Sequence, residues 1–180
     1  MPPKKQKVFV ITTGGTIEKI YDEESGTLTN RGSLLQQMLS RLRLPYTTIQ
    51  SYDLLCKDSL EMTDKDRQMI LFAVENLLEH SAPILILHGT DTMELTADYL
   101  FRNLPDLKVP IILTGAMKPF GFDNSDALQN FTEALLACSL SAPGLYISMH
   151  GCVHPLPGVF KNREKGTFER KEQNQINSPV

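Results

Sequence analysis

Five short apolar runs, at residues 7–12, 47–52, 84–88, 109–114 and 145–149, constrain this chain more than any other feature. Their apolar residues are nearly continuous rather than alternating, the pattern of strands covered on both faces of a sheet. Helical patterns lie between them. Residues 64–79 carry Met69, Ile70, Ala73, Val74, Leu77 and Leu78 at the i, i+3, i+4 spacing of one buried face. Residues 33–41 open on Ser33, a good N-cap, while 92–103 and 123–139 stop ahead of Pro105 and Pro143. Such alternation predicts an α/β fold: an open, doubly wound, mostly parallel sheet in three layers with right-handed crossovers. A length of 180 residues suits one domain, expected over 7–165, with a flexible start at 1–6 and a mobile polar tail at 166–180. Residues 18–32 form a long charged connection, expected to be a lid.

In open α/β sheets ligands bind outside the carboxyl ends of the strands. The five runs are followed by TTGGTI, CKDS, HGTDT, TGAMKP and HGCVHPL, all rich in glycine, hydroxyl or charged residues. The opposite connections, EHSAP, LPDLKVP and LSAPG, are plainer. Polar chemistry is therefore expected on one edge of the sheet.

Composition narrows the partners. A net charge of −3 and a pI near 5.8 argue against a nucleic-acid binder working by bulk electrostatics. No apolar run is long enough to span a bilayer. Lys4, Lys5 and Lys7 precede an apolar stretch of only residues 8–11, too short for a signal peptide, so a cytoplasmic protein is expected. A frayed, solvated terminus explains these lysines better than a nuclear address. Cys56, Cys138 and Cys152 are few and widely spaced, which fits a reducing compartment.

Taken singly, the motifs leave alternatives open. In TTGGTI the glycines permit close approach of a ligand to backbone N–H groups that could hold an oxyanion, and Thr16 supplies a hydroxyl; a tight turn explains the same residues. Neither the P-loop nor the GxGxxG spacing is present. In HGTDTM, Asp91 is either a ligand-binding carboxylate or the N-cap of the following helix. Ser59 either begins a helix or hydrogen-bonds a ligand carboxylate. Lys161 is either solvated or, if buried beside Thr90 and Asp91, able to activate a hydroxyl. His150, Cys152 and His154 invite a metal, but Gly151, Pro155 and Pro157 argue for a loop and no third ligand is evident. Cys152 has no dedicated base.

TGGTI, HGTDTM and LTGAMKP, in this order, resemble the N-terminal domain of the bacterial-type L-asparaginase family, and the resemblance covers about residues 8–161. It implies an amidohydrolase that converts L-asparagine to L-aspartate and ammonia without metal or cofactor. By this resemblance Thr16 is the nucleophile, through an acyl-enzyme in preference to direct water attack near Thr90, and Tyr21 is the assisting lid tyrosine. Thr90, Asp91 and Lys161 form a second catalytic group. Gly15, Ser59, Gly89, Asp91 and Ala116 contact substrate, with Ser59 on its α-carboxylate and Asp91 on its α-amino group. Longer family members carry a second domain that completes a neighbouring subunit's site. This chain is expected to be a short form whose homodimer or homotetramer does so instead, rather than a fragment. Leu60 stands where glutamine is common in the family, which implies a preference for asparagine over glutamine. Competing readings are a non-catalytic amino-acid-binding domain and an amidotransferase-type component that releases ammonia to a partner.

Overall fold

The structure is a computed structural model that describes residues 5–171. Strand β1 (Gln6–Gly14) passes into a one-turn 3-10 helix (Thr16–Glu18) and a hairpin of β2 (Lys19–Asp22) and β3 (Thr27–Asn30). Helix α1 (Leu35–Ser40), strand β4 (Thr47–Lys57), a second 3-10 turn (Ser59–Glu61) and α2 (Asp64–Leu78) follow. Then come β5 (Ile84–Leu87), α3 (Met93–Asn103), β6 (Pro110–Thr114), α4 (Ala127–Leu140) and β7 (Gly144–Met149). Three short strands end the described chain: β8 (Cys152–Pro155), β9 (Val159–Asn162) and β10 (Thr167–Arg170).

Six strands make one sheet in the order β4-β1-β5-β6-β7-β8, parallel except for β8, which runs against β7. The register explains why the apolar runs are continuous. Phe9 pairs with Ile84, Ile84 with Ile111 and Ile111 with Leu145, so these four form one row across the sheet. That row packs in a single cluster with Ile70, Val74 and Leu77 of α2 and Met93, Ala97 and Leu100 of α3. One residue along, Val10, Leu85 and Ile112 form the next row and point to the opposite face, because side chains alternate across a strand. They meet Leu35 and Met38 of α1 and Phe131, Ala134 and Cys138 of α4. Both faces are covered, as the three-layer expectation required. Thr63 fixes the start of α2 through a capping box with Asp66, whose Oδ2 accepts from the Thr63 amide at 2.8 Å.

Several local expectations are corrected. Residues 18–32 are not an irregular loop: most of them form the β2–β3 hairpin, with Tyr21 opposite Leu28. Ser33 stands two residues before α1 rather than at its cap, although its Oγ accepts from the Leu35 amide at 3.1 Å. The stretch after His150 is strand, since Cys152 pairs with Met149. The tail expected from residue 166 begins instead as β10, paired with β9 and anchored by Phe168, which is 2% exposed. The remainder of that expectation, at 172–180, and most of the expected flexible start, at 1–4, lie outside the described residues.

Phe131 is fully buried at the centre of the α4 face. Replacing it with alanine should lower unfolding free energy by about 3–5 kcal/mol. Urea denaturation of Phe131→Ala would show this as an earlier midpoint.

Candidate active site

The carboxyl ends of β1, β4 and β5 meet through backbone and small side chains. A Cβ on Gly15 would stand 2.3 Å from Gly89 Cα, and one on Gly89 would stand 2.6 Å from both Cβ and Oγ of Ser59. No side chain larger than hydrogen fits at either glycine without displacing its neighbours, and Gly15 also has φ +82°. The Gly15 amide donates to Lys57 O at 2.8 Å, and Asn30 Nδ2 donates to Gly15 O at 2.9 Å. Thr92 Oγ1 donates to Ser59 O at 2.7 Å. The turn after β6 joins the group, since a Cβ on Gly115 would lie 2.3 Å from His88 O and 3.3 Å from Thr90 Cγ2.

A lysine from the far end of the chain enters this cluster. Lys161, on β9, donates from Nζ to Thr90 Oγ1 at 2.7 Å and to Asp91 Oδ1 at 3.0 Å. Its backbone amide donates to Glu94 Oε2 at 2.6 Å, which ties β9 to the first turn of α3. Arg163 adds a second cation, with its guanidinium donating to Asp91 Oδ1 at 3.0 Å. Partial burial raises the Asp91 pKa, but the hydrogen bond and charge of Lys161, followed by those of Arg163, outweigh it and hold the carboxyl below its usual range.

Two buried titratable groups brace the turns. His88 is fully buried, and its imidazole bridges Gly89 O and Thr96 Oγ1, each at 2.8 Å. A carbonyl only accepts, so Nδ1 carries the proton and Nε2 accepts from the threonine hydroxyl. Burial lowers the His88 pKa to about 4, so the ring is neutral. Glu18, 1% exposed, accepts from the Gly14 amide at 3.1 Å through Oε2 and from Ser33 Oγ at 2.6 Å through Oε1. Burial outweighs those hydrogen bonds and raises its pKa to about 7.

The sequence-derived candidates divide accordingly. Gly15, Ser59, Gly89, Thr90, Asp91 and Lys161 come together, and Thr16 follows Gly15 directly. Ala116 is fully buried among Ile17 and Phe120, so only its main chain faces other groups as a polar partner. Tyr21 stands on β2 and is 60% exposed. Asp91 does not cap α3, because Thr92 holds that position and the Asp91 carboxylate is committed to Lys161 and Arg163. His150 takes part in a separate network: its imidazole meets Asp126 Oδ2 at 2.8 Å and Thr167 Oγ1 at 2.9 Å. Glu18, His88, Glu94 and Arg163 were not singled out from sequence. The signal for Glu18 was a charge set directly after an otherwise apolar and hydroxyl motif. A groove of about 1060 Å³ between His150, His154, Phe160 and Phe168 includes none of the converging residues. The polar convergence, not this groove, marks the candidate site.

A family profile described as Asparaginase, N-terminal, matches residues 7–177. The chain is 32% identical over 145 residues to an L-asparaginase of Thermococcus kodakarensis, covering 79% of this chain and 43% of that protein. It is 36% identical over 137 residues to L-asparaginase 1 of Escherichia coli, covering 73% and 40%. One component of the glutamyl-tRNA(Gln) amidotransferase of Methanococcus vannielii is 31% identical over 153 residues, covering 83% and 35%. In structure, the thermostable L-asparaginase from Thermococcus kodakarensis superposes with a TM-score of 0.82 at 28% identity, covering 97% of this chain and 52% of that one. The chain thus spans less than half the length of the curated relatives it matches.

The two buried groups oppose each other in pH dependence. Glu18 binds its proton more tightly folded than unfolded, so its contribution falls as pH rises from about 4.5 to about 7. His88 binds its proton less tightly folded, so its contribution falls as pH drops from about 6.5 to about 4. Each is worth on the order of 3 kcal/mol. Glu18→Gln should therefore leave stability rising more steeply between about pH 4.5 and 6.5 than in the parent chain. Chemical denaturation across that range checks this; matching slopes would refute it.

Proposed function

The chain belongs to the asparaginase family, and we propose that it hydrolyses the side-chain amide of L-asparagine to L-aspartate and ammonia, with Thr16 as nucleophile. The observation that carries this reading is the Lys161 ammonium joined to Thr90 Oγ1 and Asp91 on the turn that touches the Gly15 turn. A free amino acid with a side-chain amide needs such a set: a carboxylate for its ammonium, donors for its carboxylate, a hydroxyl nucleophile and a place for an oxyanion. Asp91 takes the α-amino group and Ser59 the α-carboxylate. Gly15, Gly89 and Ala116 offer main chain where side chains would obstruct approach.

Thr16 Oγ1 attacks the amide carbon as its proton passes to a base, Tyr21 or the Lys161-centred group; that proton is handed on to the amide nitrogen as the C–N bond breaks, giving ammonia and an acyl-threonine. Water then cleaves the ester and regenerates the hydroxyl. Thr90, held by Lys161, orients that water. Tyr21 reaches the nucleophile by closure of the β2–β3 hairpin over substrate, which also excludes solvent. No metal or cofactor takes part. A second copy in a homodimer or homotetramer completes the site. The three free cysteines suit a cytoplasmic setting.

A second reading is favoured by the similarity to the amidotransferase component: the same chemistry would supply ammonia to a partner. Ammonia release from free asparagine by the chain alone supports the first reading, and release only with a partner supports the second.

In an ammonia-release assay Thr16→Ala should lose activity roughly a thousandfold or more while melting normally. Retained turnover would mean that another group is the nucleophile. Leu60, exposed beside Ser59, offers no hydrogen bond to a longer substrate. Glutamine turnover should accordingly be at least about tenfold slower than asparagine turnover, within the range one methylene commands. Equal rates would reject this preference.

A further inference from the structure

We infer that Glu18 is a positioning residue for Thr16: its ionised carboxylate closes the turn that presents the threonine and fastens that turn to the start of α1. This rests on the proposed role of Thr16. Residues 14–18 form a small ring, because Glu18 Oε2 accepts from the Gly14 amide at 3.1 Å and the Glu18 amide donates to Gly15 O at 3.1 Å. Thr16 sits inside that ring. The other carboxylate oxygen accepts from Ser33 Oγ at 2.6 Å, and Ser33 Oγ in turn accepts from the Leu35 amide at 3.1 Å. With the Ser33 hydroxyl donating to Oε1 and the Gly14 and Leu34 main chain adding further hydrogen bonds, the carboxylate is surrounded by donors.

Donors on both oxygens fit the ionised acid and oppose the neutral one. A proton on Oε2 would face the Gly14 N–H, and one on Oε1 could be accepted by Ser33 Oγ only if that hydroxyl turned its own hydrogen away from Glu18. Protonation therefore either weakens the Gly14 tie or reverses the Ser33 one, and in both cases the turn loses a charge-assisted bond.

Among the described residues, no cation offsets the burial. From the hairpin, Lys19 Nζ is on Asp58 at 2.5 Å and Arg31 is on Asp22 at 2.7 Å. From β4, Lys57 Nζ is on Asp66 at 2.7 Å, and Asp53 adds a negative charge that opposes ionisation. The lead into α1 supplies Ser33 and the Leu34 main chain, and β1 supplies only the Gly14 amide. The result is an acid that ionises at about pH 7, where a solvated glutamate would already be charged. An acid this late in ionising makes the turn responsive near neutral pH.

The test compares pH profiles of asparagine hydrolysis for the full chain, Glu18→Gln and Ser33→Ala, alongside amide NMR of Gly14 and Thr16. In the parent chain kcat should fall about tenfold per pH unit below the Glu18 ionisation. Both amides should titrate with the same midpoint. Glu18→Gln should give a low, flat profile in this range, with KM within about twofold and no titration of either amide. Ser33→Ala removes a bond that favours the charged form, so the limb and the amide midpoint should both move to higher pH. An active enzyme whose acid limb survives in Glu18→Gln overturns the assignment, as do amides that fail to titrate in the parent chain. Should Glu18→Gln not fold, an unmoved limb and midpoint in Ser33→Ala overturn it equally. Amides that titrate in a chain releasing no ammonia at any pH instead overturn the reaction, and with it the role of Glu18 in catalysis.

Discussion

The site depends on main chain touching main chain where β1 and β5 end. Gly15 approaches Gly89 so closely that it tolerates no Cβ, and Gly89 is denied one by the Ser59 side chain. Parallel register brings these ends level, since Thr12 pairs with Leu87 two or three residues before the glycines. A sheet buried on both faces cannot slip by one residue without turning every core side chain to the wrong helix layer. Core packing therefore sets the position of the turns, and the glycines convert that position into contact.

Around this contact, charges are paired in a definite order. Lys19, Arg31 and Lys57 are each committed to an aspartate at the periphery. Asp91 holds two cations, and His88, neutral in the interior, carries no charge to compete. Glu18, behind the turn, has hydrogen-bond donors but no cationic partner among the described residues. That allocation leaves one strongly paired carboxylate facing the cluster and one poorly stabilised carboxylate behind it. The two respond to pH in different ranges for that reason.

Legibility in the sequence followed burial. The five parallel strands stood out because both faces of the sheet are covered, so Ile84–Leu87 and Pro110–Thr114 read as unbroken apolar runs. The β2–β3 hairpin did not, because Lys19–Asp22 and Thr27–Asn30 are mostly polar and carry no clear period. Strands β9 and β10 were hidden for the same reason, with Phe168 their strong anchor beside Val159. At the site, TTGGTI and HGTDTM announced themselves through glycine and hydroxyl spacing. Lys161 was conditional on burial that no spacing could reveal, and nothing in its sequence context marks Arg163. Glu18 read only as the first residue of a long charged connection. Its burial comes from the hairpin and α1 closing over it, which is tertiary information.

The lysine that reaches Thr90 is separated from it by 71 positions, and it rides on a two-stranded ribbon outside the main sheet. Among the described residues, the parallel strands and the helices α1 to α4 all precede it in the chain. The glycine turns and the ammonium they meet therefore come from separate parts of the described chain. The cluster's ammonium is thus imported from a remote part of the chain, and the ribbon's hold on the body through Glu94 and Phe168 is what keeps it there.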